Sequence, residues 1–404
     1  MFYSTGIYLY GAFIRLAAIL GNQKAKKWVD GRYQWLKNLP NTQEKKVTWF
    51  HCASLGEYDQ GLPVMEAWKK QYPDDFILVT FFSPSGYENK VDQSIGDATC
   101  YLPLDTPANA RNFIEHFRPN HAFFIKYEYW INYIKYADRR NCSIYGLSAI
   151  FRPTQRFFNW YGGVFRKALH RFDYFFVQNQ SSQQLLSSIG ITNTTVTGDT
   201  RFDRVLERVE NHKTQPIIGQ WTNTENVFVM GSSWSVDEEM IIPFINSGAI
   251  ASKVIIAPHE VDEDHIQKIK KLLRVSTERF TEIDETTGIQ SSTKVLILDC
   301  IGLLASAYQY GELAYVGGAF KTGLHNILEP AAFGLPVIFG PRYAKFPEAQ
   351  LFIDEKIGQS IVDSDSFYKA YQHFSANDKI SHRVYQFMQD KRGATAQIMH
   401  HFTR

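Results

Sequence analysis

The sequence predicts an α/β protein made of two doubly wound, Rossmann-like domains. Short apolar runs alternate with helical stretches along most of the chain, the pattern of parallel strands covered on both faces. The alternation restarts after a polar, proline-containing stretch at Asn211–Trp221. The 404 residues are enough for about two domains, each with its own core.

The chain opens on an apolar and aromatic run, Ile7–Leu20, interrupted by Arg15. Lys24, Lys26, Lys27, Arg32 and Lys37 follow, against Asp30 alone. The run is short for a membrane span. It lacks the basic start and small-residue cleavage site of a signal peptide. An apolar helix with a basic cluster behind it suits an anionic membrane surface, by burial plus charge attraction. A helix packed on the first domain is the alternative.

The first strand is expected at Val47–Cys52, followed by a polar turn and a helix near Gln60–Gln71. Phe76–Phe82 follows and ends in the turn Ser83-Pro84-Ser85-Gly86. His121–Ile125, Ser143–Leu147 and Tyr174–Gln178 continue the series. In the second half the strands are Val227–Gly231, Val254–Ala257, Lys294–Leu298, Leu313–Val316 and Pro336–Phe339. The domain boundary falls near 205–222. The division is then 1–40 for the membrane-proximal segment, 41–210 for the N-terminal domain and 211–404 for the C-terminal one. The last helices are able to pack back on the N-terminal domain. Two such domains imply a cleft, with ligands at the carboxyl ends of the strands.

Net charge is only +2, so there is no global footprint for nucleic acid. Cys52, Cys100, Cys142 and Cys300 are scattered and read as reduced thiols of a cytoplasmic protein.

The most informative stretch is Gly317–Pro341, GGAFKTGLHNILEPAAFGLPVIFGP. A glycine loop after the run Leu313–Val316 leads into a short helix, with His325, Asn326 and Glu329 expected in its first turns and Gly334 ending it. Such a unit offers backbone N–H groups and a positive dipole end to an anion. The spacing Gly318…Gly323 is that of a P-loop, but Leu324-His325 replaces the required Lys-[Ser/Thr], and no G-x-G-x-x-G follows an early strand. The combination suggests a nucleotide-sugar site. A plain βα turn with glycine caps is the alternative.

Other strand-end loops carry candidate chemistry. Ser54, Gly56 and Glu57 follow the first strand. Glu57 fits either a general base or an acid at a helix start. Lys126 and Glu128 follow His121–Ile125; one can neutralise an anion, the other orient a hydroxyl. Arg201, in Gly198–Asp203, can hold a carboxylate or phosphate, or pair with a neighbouring aspartate. Ser232 and Ser233 allow close approach of a phosphate. Pro258, His259, Cys300, Ile301 and Gly302 can frame a base. Asp262-Glu263-Asp264 has D-x-D spacing but opens a helical stretch, and no zinc spacing occurs, so no metal is expected.

Together these segments resemble the Kdo (3-deoxy-D-manno-octulosonic acid) transferases of lipopolysaccharide assembly over nearly the whole chain. HNILEPAAFGLPVIFGP at 325–341 is the most specific match. HCASLGE at 51–57, YLPLDTP at 101–107, GDTRFD at 198–203 and DCIGLL at 299–304 agree in order and spacing. The resemblance implies a GT-B fold with the donor in the C-terminal domain and the acceptor facing the N-terminal one. It implies CMP-Kdo as donor, a lipid A precursor as acceptor, and inversion without a metal or other cofactor. It places the enzyme at the cytoplasmic face of the inner membrane. On that reading Glu57 is the base, with Ser54, Gly56 and Glu128 on the acceptor side. Lys126 and Arg201 stabilise the transition state. Asn326 and the helix start hold the phosphate and Glu329 the ribose, with Gly317, Gly318, Gly323 and His325 also on the donor side. Ser232 and Ser233 also serve the donor, and Pro258, His259, Cys300, Ile301 and Gly302 line the cytidine.

The chain departs from the family at four places. Lys126-Tyr-Glu-Tyr-Trp130 stands for Glu-Thr-Glu-Leu-Trp, and Pro258-His259-Glu260 for Pro-Arg-His. Ser232-Ser233-Trp234 stands for Ser-Thr-His, and Cys300–Leu304 for Thr-Met-Gly-Glu-Leu. One expectation is that Lys126 restores charge lost with the missing arginine. Other GT-B enzymes, such as a nucleotide-sugar epimerase or a different lipid-directed transferase, and a non-catalytic scaffold are the competing readings.

Overall fold

The computed structural model describes residues 2–42, 44–91, 93–212, 214–223, 225–284, 286–321 and 323–403. The chain forms two units: Met1–Arg204 with Lys391–Arg404, and Val205–Asp390.

The first unit is built on seven parallel strands: β1 (Val47–Cys52), β2 (Phe76–Phe81), β3 (Ala98–Tyr101), β4 (His121–Ile125), β5 (Ser143–Ala149), β6 (Tyr174–Val177) and β7 (Thr194–Val196). Their order is β3-β2-β1-β4-β5-β6-β7. Alternate residues of β1 enter different cores. Val47 and Trp49 pack with Leu78 and Phe124 on one face; Phe50 and Cys52 pack with Val79 and Phe123 on the other. Burial on both faces is why the strand reads as a continuous apolar run rather than an alternating one.

The second unit repeats the plan with β8 (Val227–Ser233), β9 (Lys253–Pro258), β10 (Thr277–Arg279), β11 (Val295–Ile297), β12 (Leu313–Val316), β13 (Val337–Phe339) and β14 (Gly358–Ser360). The order is β10-β11-β9-β8-β12-β13-β14, again all parallel. Two Rossmann-like domains are thus present, as the GT-B expectation requires. Four strands escaped the sequence reading: β3, β7, β10 and β14. All four are edge strands of three or four residues, and most of their side chains are half-exposed. An edge strand has fewer neighbours and so needs no apolar run.

The N-terminus forms α1 (Phe2–Ile19) and α2 (Gln23–Asp30). No single described helix is long and apolar enough to cross a membrane. The Tyr3 hydroxyl donates to Asp105 at 2.6 Å, tying α1 to the sheet. The same carboxylate accepts the amides of Asn132 and Tyr133, each at 3.1 Å, and so caps the helix Ile131–Arg139. Arg32 corrects its assignment to an exposed basic cluster. It is buried, donates to the carbonyls of Leu102, Trp28 and Phe82, and lies over the rings of Trp28, Phe82 and Tyr101. Guanidinium is weakly hydrated and stacks on aromatic faces, so it tolerates this site better than lysine would.

Asp105→Ala removes the shared acceptor from two amides and a hydroxyl. Burial raises the Asp105 carboxyl to about 7, and leaving a buried donor without its acceptor costs about 1–3 kcal/mol, so a stability loss of about 3 kcal/mol or more is expected in urea unfolding. Hydrogen exchange should quicken in α1 and at the start of Ile131–Arg139. A loss under about 1 kcal/mol would show that water replaces the carboxylate.

Candidate functional site

In each sheet the strand order reverses at one point, between β1 and β4 in the first and between β8 and β12 in the second. Loops leaving the carboxyl ends there run to opposite faces and open a crevice. Most candidates fall at these two places. Ser54, Gly56 and Glu57 follow β1, and Lys126 and Glu128 follow β4. Ser232 and Ser233 end β8, while Gly317, Gly318, Gly323, His325 and Asn326 follow β12.

At the first point, the helix α3 (Leu55–Gln71) begins earlier than the sequence suggested and carries Glu57 in its first turn. The Glu57 carboxylate is 7% exposed and accepts the Ser54 hydroxyl. Burial, and then the charge of Glu57, push the half-buried Glu128 carboxyl up to about 8. Burial and the same two carboxylates also raise the Tyr127 hydroxyl. Glu57, Tyr127 and Glu128 therefore share one electrostatic environment. Lys126 has φ +68°, a left-handed conformation that a side chain seldom adopts. It is held by its amide on Leu147 O at 2.9 Å and by the Tyr129 hydroxyl on its carbonyl at 3.1 Å. Strain of this kind collects at functional loops.

His51, one residue before the end of β1, is fully buried. Its Nε2 accepts the Trp130 indole at 2.9 Å, so Nδ1 carries the proton toward the Thr80 hydroxyl, also at 2.9 Å. Burial lowers this imidazole to about 3.

Arg201 turns inward. Its Nε and Nη2 donate to Asp199 Oδ2 at 3.0 and 2.7 Å, and its amide donates to Oδ1 at 3.0 Å. Gln60 adds a fourth bond at 2.8 Å. Burial would raise the Asp199 carboxyl, but the Arg201 charge and these bonds hold it below its ordinary value. The two-pronged contact sought with a ligand is made with Asp199 instead.

At the second point, Gly317 and Gly318 are required by space and backbone. A Cβ on Gly317 would lie 2.3 Å from Ser232 O, and Gly318 has φ +93°. The loop folds partly on itself: Gly323 N donates to Gly318 O at 3.0 Å and Gly318 N to Asp237 at 3.4 Å. Those amides do not face an anion, contrary to the simplest reading of the loop. The helix beyond is only Leu328–Ala332, so His325 and Asn326 precede it rather than sit in its first turns. Asn326 Oδ1 accepts Leu328 N at 3.1 Å. Among the described residues the amides of Asn326 and Ile327 make no hydrogen bond. They are among the loop amides left to bind an anion.

Three rings stack here. Trp234 lies 4.7 Å from His259, and His259 lies 4.4 Å from His325, both nearly parallel. The Trp234 indole donates to His325 Nε2 at 3.3 Å, which requires that nitrogen unprotonated. Burial, then His259, lowers the His325 imidazole to about 4. Lys321 lies 4.6 Å over the Trp234 ring.

The sequence comparisons agree with the resemblance. Residues 27–204 match the 3-deoxy-D-manno-octulosonic-acid transferase (kdotransferase) family. The 3-deoxy-D-manno-octulosonic acid transferase of Rickettsia bellii is 27% identical over 351 residues, covering 84% of this chain and 80% of that one. The Haemophilus influenzae transferase is 24% identical over 373 residues, covering 86% and 84%. The family match ends at residue 204, and the two relatives extend the likeness over most of the chain. A solved UDP-GlcNAc 2-epimerase from Neisseria meningitidis has a TM-score of 0.62 at 13% identity, covering 88% of this chain and 98% of that one. That likeness concerns the fold alone.

Two donor candidates differ from expectation. Ser233 is fully buried, and its hydroxyl donates to Glu238 at 2.8 Å, so it braces the strand end rather than facing outward. Glu329 pairs with Arg208 at 3.3 Å. Pro258 and exposed His259 lie at the end of β9, beside β8. Cys300, exposed Ile301 and Gly302 follow β11, which β9 and β8 separate from β12. Asp237 was missed as a site residue. It is fully buried and accepts Tyr315 OH at 2.6 Å and Trp234 N at 2.9 Å besides Gly318 N, so it anchors the glycine loop. Its signal was an acid four residues past a strand end, the third position of the following helix, from which a carboxylate caps the helix start. Lys321 was legible only as a cation inside the loop.

The lowered histidines have a definite sign. The unfolded chain takes up a proton below about 6.5, whereas folded His51 refuses it down to about 3 and His325 to about 4. Their contribution to stability is complete above the unfolded value and is lost as pH falls toward those folded values. Nitrogen-15 NMR should find His51 as the Nδ1–H neutral tautomer at pH 5. Titration near 6.5 would contradict the buried Trp130–His51–Thr80 chain.

Proposed function

We propose that this protein transfers Kdo from CMP-Kdo to a lipid A precursor, with inversion, at the cytoplasmic face of the inner membrane. The observation that carries the reading is Glu57, in a Kdo-transferase match, buried at the strand-order reversal of the first unit beside Glu128, whose carboxyl is raised by burial and by the charge of Glu57. Glu128, raised to about 8, is mostly protonated at neutral pH, which disfavours it as the resting base. Glu57 is then the group that takes the proton from the acceptor hydroxyl. The freed oxygen attacks the anomeric carbon of Kdo as the bond to the CMP phosphate breaks. The leaving phosphate carries the electron pair away as an anion. The amides of Asn326 and Ile327, with Lys321, are suited to that charge. Trp234, His259 and His325 offer flat faces against which a base can stack. Lys126 supplies a further cation. Arg201 contributes through Asp199, as a support of the loop that begins its helix. No step in this scheme calls for a metal or other cofactor.

The lipid acceptor is supported by the N-terminal segment. Leu9, Phe13, Ile19 and Leu20 are 67–81% exposed, an apolar face with no covering element among the described residues. Arg15, Lys24, Lys26 and Lys37 are also exposed and lie close along the sequence. Burial of the first set and attraction of the second to anionic headgroups favour a helix lying in the interface. Between α1 and the sheet is a cavity of about 410 Å³, lined by Tyr8, Trp28, Trp35, Pro103 and Leu104 with Arg15 at its wall. Its apolar rings and cation suit part of a phosphorylated lipid.

The test is CMP release from CMP-Kdo with and without a tetraacylated lipid A precursor. Glu57→Gln keeps shape but removes the base, so turnover should fall about 10²–10⁴-fold with CMP binding retained. Glu128→Gln mimics the protonated group and should keep at least tenfold more turnover than Glu57→Gln. Equal activity of wild type and Glu57→Gln would reject the base. Release that is indifferent to lipid would reject the acceptor class.

The membrane reading has its own check. Leu9→Glu with Phe13→Glu changes two exposed side chains and should leave the fold intact while abolishing flotation with anionic vesicles. Flotation equal to wild type would place the attachment elsewhere.

A further inference from the structure

We infer that the second unit carries a divalent-cation site, built from His265, Glu260 and Asp262 at the entrance to the helix Glu263–Leu272. One ligand-capable atom from each residue lies within 4.8 Å of the other two. Acidic side chains at a helix start would not by themselves indicate a ligand, because the dipole favours them there. The decisive feature is His265. The residue is 6% exposed, and its Nδ1 is buried with no hydrogen-bond partner. A buried polar nitrogen left unpaired is costly and rare. Its other nitrogen, Nε2, is fixed by Glu238 Oε2 at 2.9 Å. A carboxylate on one ring nitrogen that leaves the other to bind is the usual outer support of a metal-bound histidine.

The support continues inward. Glu238 is 1% exposed, and its second oxygen accepts the Ser233 hydroxyl at 2.8 Å. The imidazole is therefore oriented by a chain of fixed groups rather than by solvent. On the outer side, Asp262 Oδ1 caps the helix by accepting His265 N at 3.1 Å, which leaves Oδ2 for an ion. Glu260 is exposed and makes no hydrogen bond or ion pair among the described residues. Glu263, the next acid, is engaged by Arg279 at 2.9 Å and lies outside the set. The grouping is thus not the D-x-D pair of the sequence, since it joins Asp262 to Glu260 and His265 rather than to Asp264.

One imidazole nitrogen with two carboxylate oxygens suits zinc or a similar first-row ion, with water completing the shell. Calcium and magnesium prefer oxygen alone. An ion here ties the turn after β9, which carries His259, to the helix start. The site takes no part in the proposed transfer and does not depend on the identity of the donor.

The experiment is titration of the full-length, tag-free protein with Zn²⁺ by calorimetry, with Co²⁺ absorption as a second readout. One equivalent of Zn²⁺ is expected, and Co²⁺ should give visible d–d bands. Glu260→Gln and Asp262→Asn should each raise Kd at least tenfold. Both are exposed, so the metal-free melting curve should change little. Glu238→Gln should weaken binding about 10–100-fold through the histidine. Absence of saturable binding overturns the site. Binding unchanged by Glu260→Gln and Asp262→Asn overturns it equally, because the ion is then held elsewhere.

Discussion

Both sheets are wholly parallel, and that constraint organises the rest of the molecule. Parallel neighbours cannot be joined by a tight turn, so each connection crosses a face of the sheet and returns. Every strand then ends at the same edge. The loops that carry reactive side chains collect there without any one of them being near another in sequence. Where the strand order reverses, adjacent loops leave in opposite directions. Ser54 to Glu57 and Lys126 to Glu128, some seventy residues apart, come together because β1 and β4 are neighbours. Gly317 closes on Ser232 because β12 lies against β8.

The two reversal points differ in electrostatic character. The first holds two carboxyl groups in a partly dry setting, and burial with mutual repulsion drives one of them up to about 8. The second gathers imidazoles, an indole and a lysine, and burial keeps its inner histidine neutral. One place is suited to removing a proton and the other to receiving an anion. Lys126 and Ser232, one at each place, both have left-handed backbones. Neither is glycine, so the surrounding hydrogen bonds must hold them there.

The N-terminal segment shows why charge counted along a sequence misleads. Arg32 belongs by position to a run of basic residues, yet three carbonyls and three rings enclose it. Its burial pulls α2 onto the sheet and leaves the lysines outside. Asp105, in a stretch that resembles a family motif, works as a structural acceptor for α1 and for a helix start.

The sequence by itself determined the two-domain α/β plan, because inner parallel strands buried on both faces must be continuously apolar. Val47–Cys52, His121–Ile125 and Leu313–Val316 were legible to the residue for that reason. The edge strands were not, since half-exposed segments carry no such run. The sequence also named the strand-end loops, as glycine and small polar residues are needed where the chain turns closely. What those side chains do was decided by tertiary structure. Arg201 meets Asp199, Ser233 meets Glu238, and His265 keeps one nitrogen bare. Local pattern sets which way a backbone runs. Hydrogen-bond partners and desolvation depend on which distant residues the strand order brings into contact.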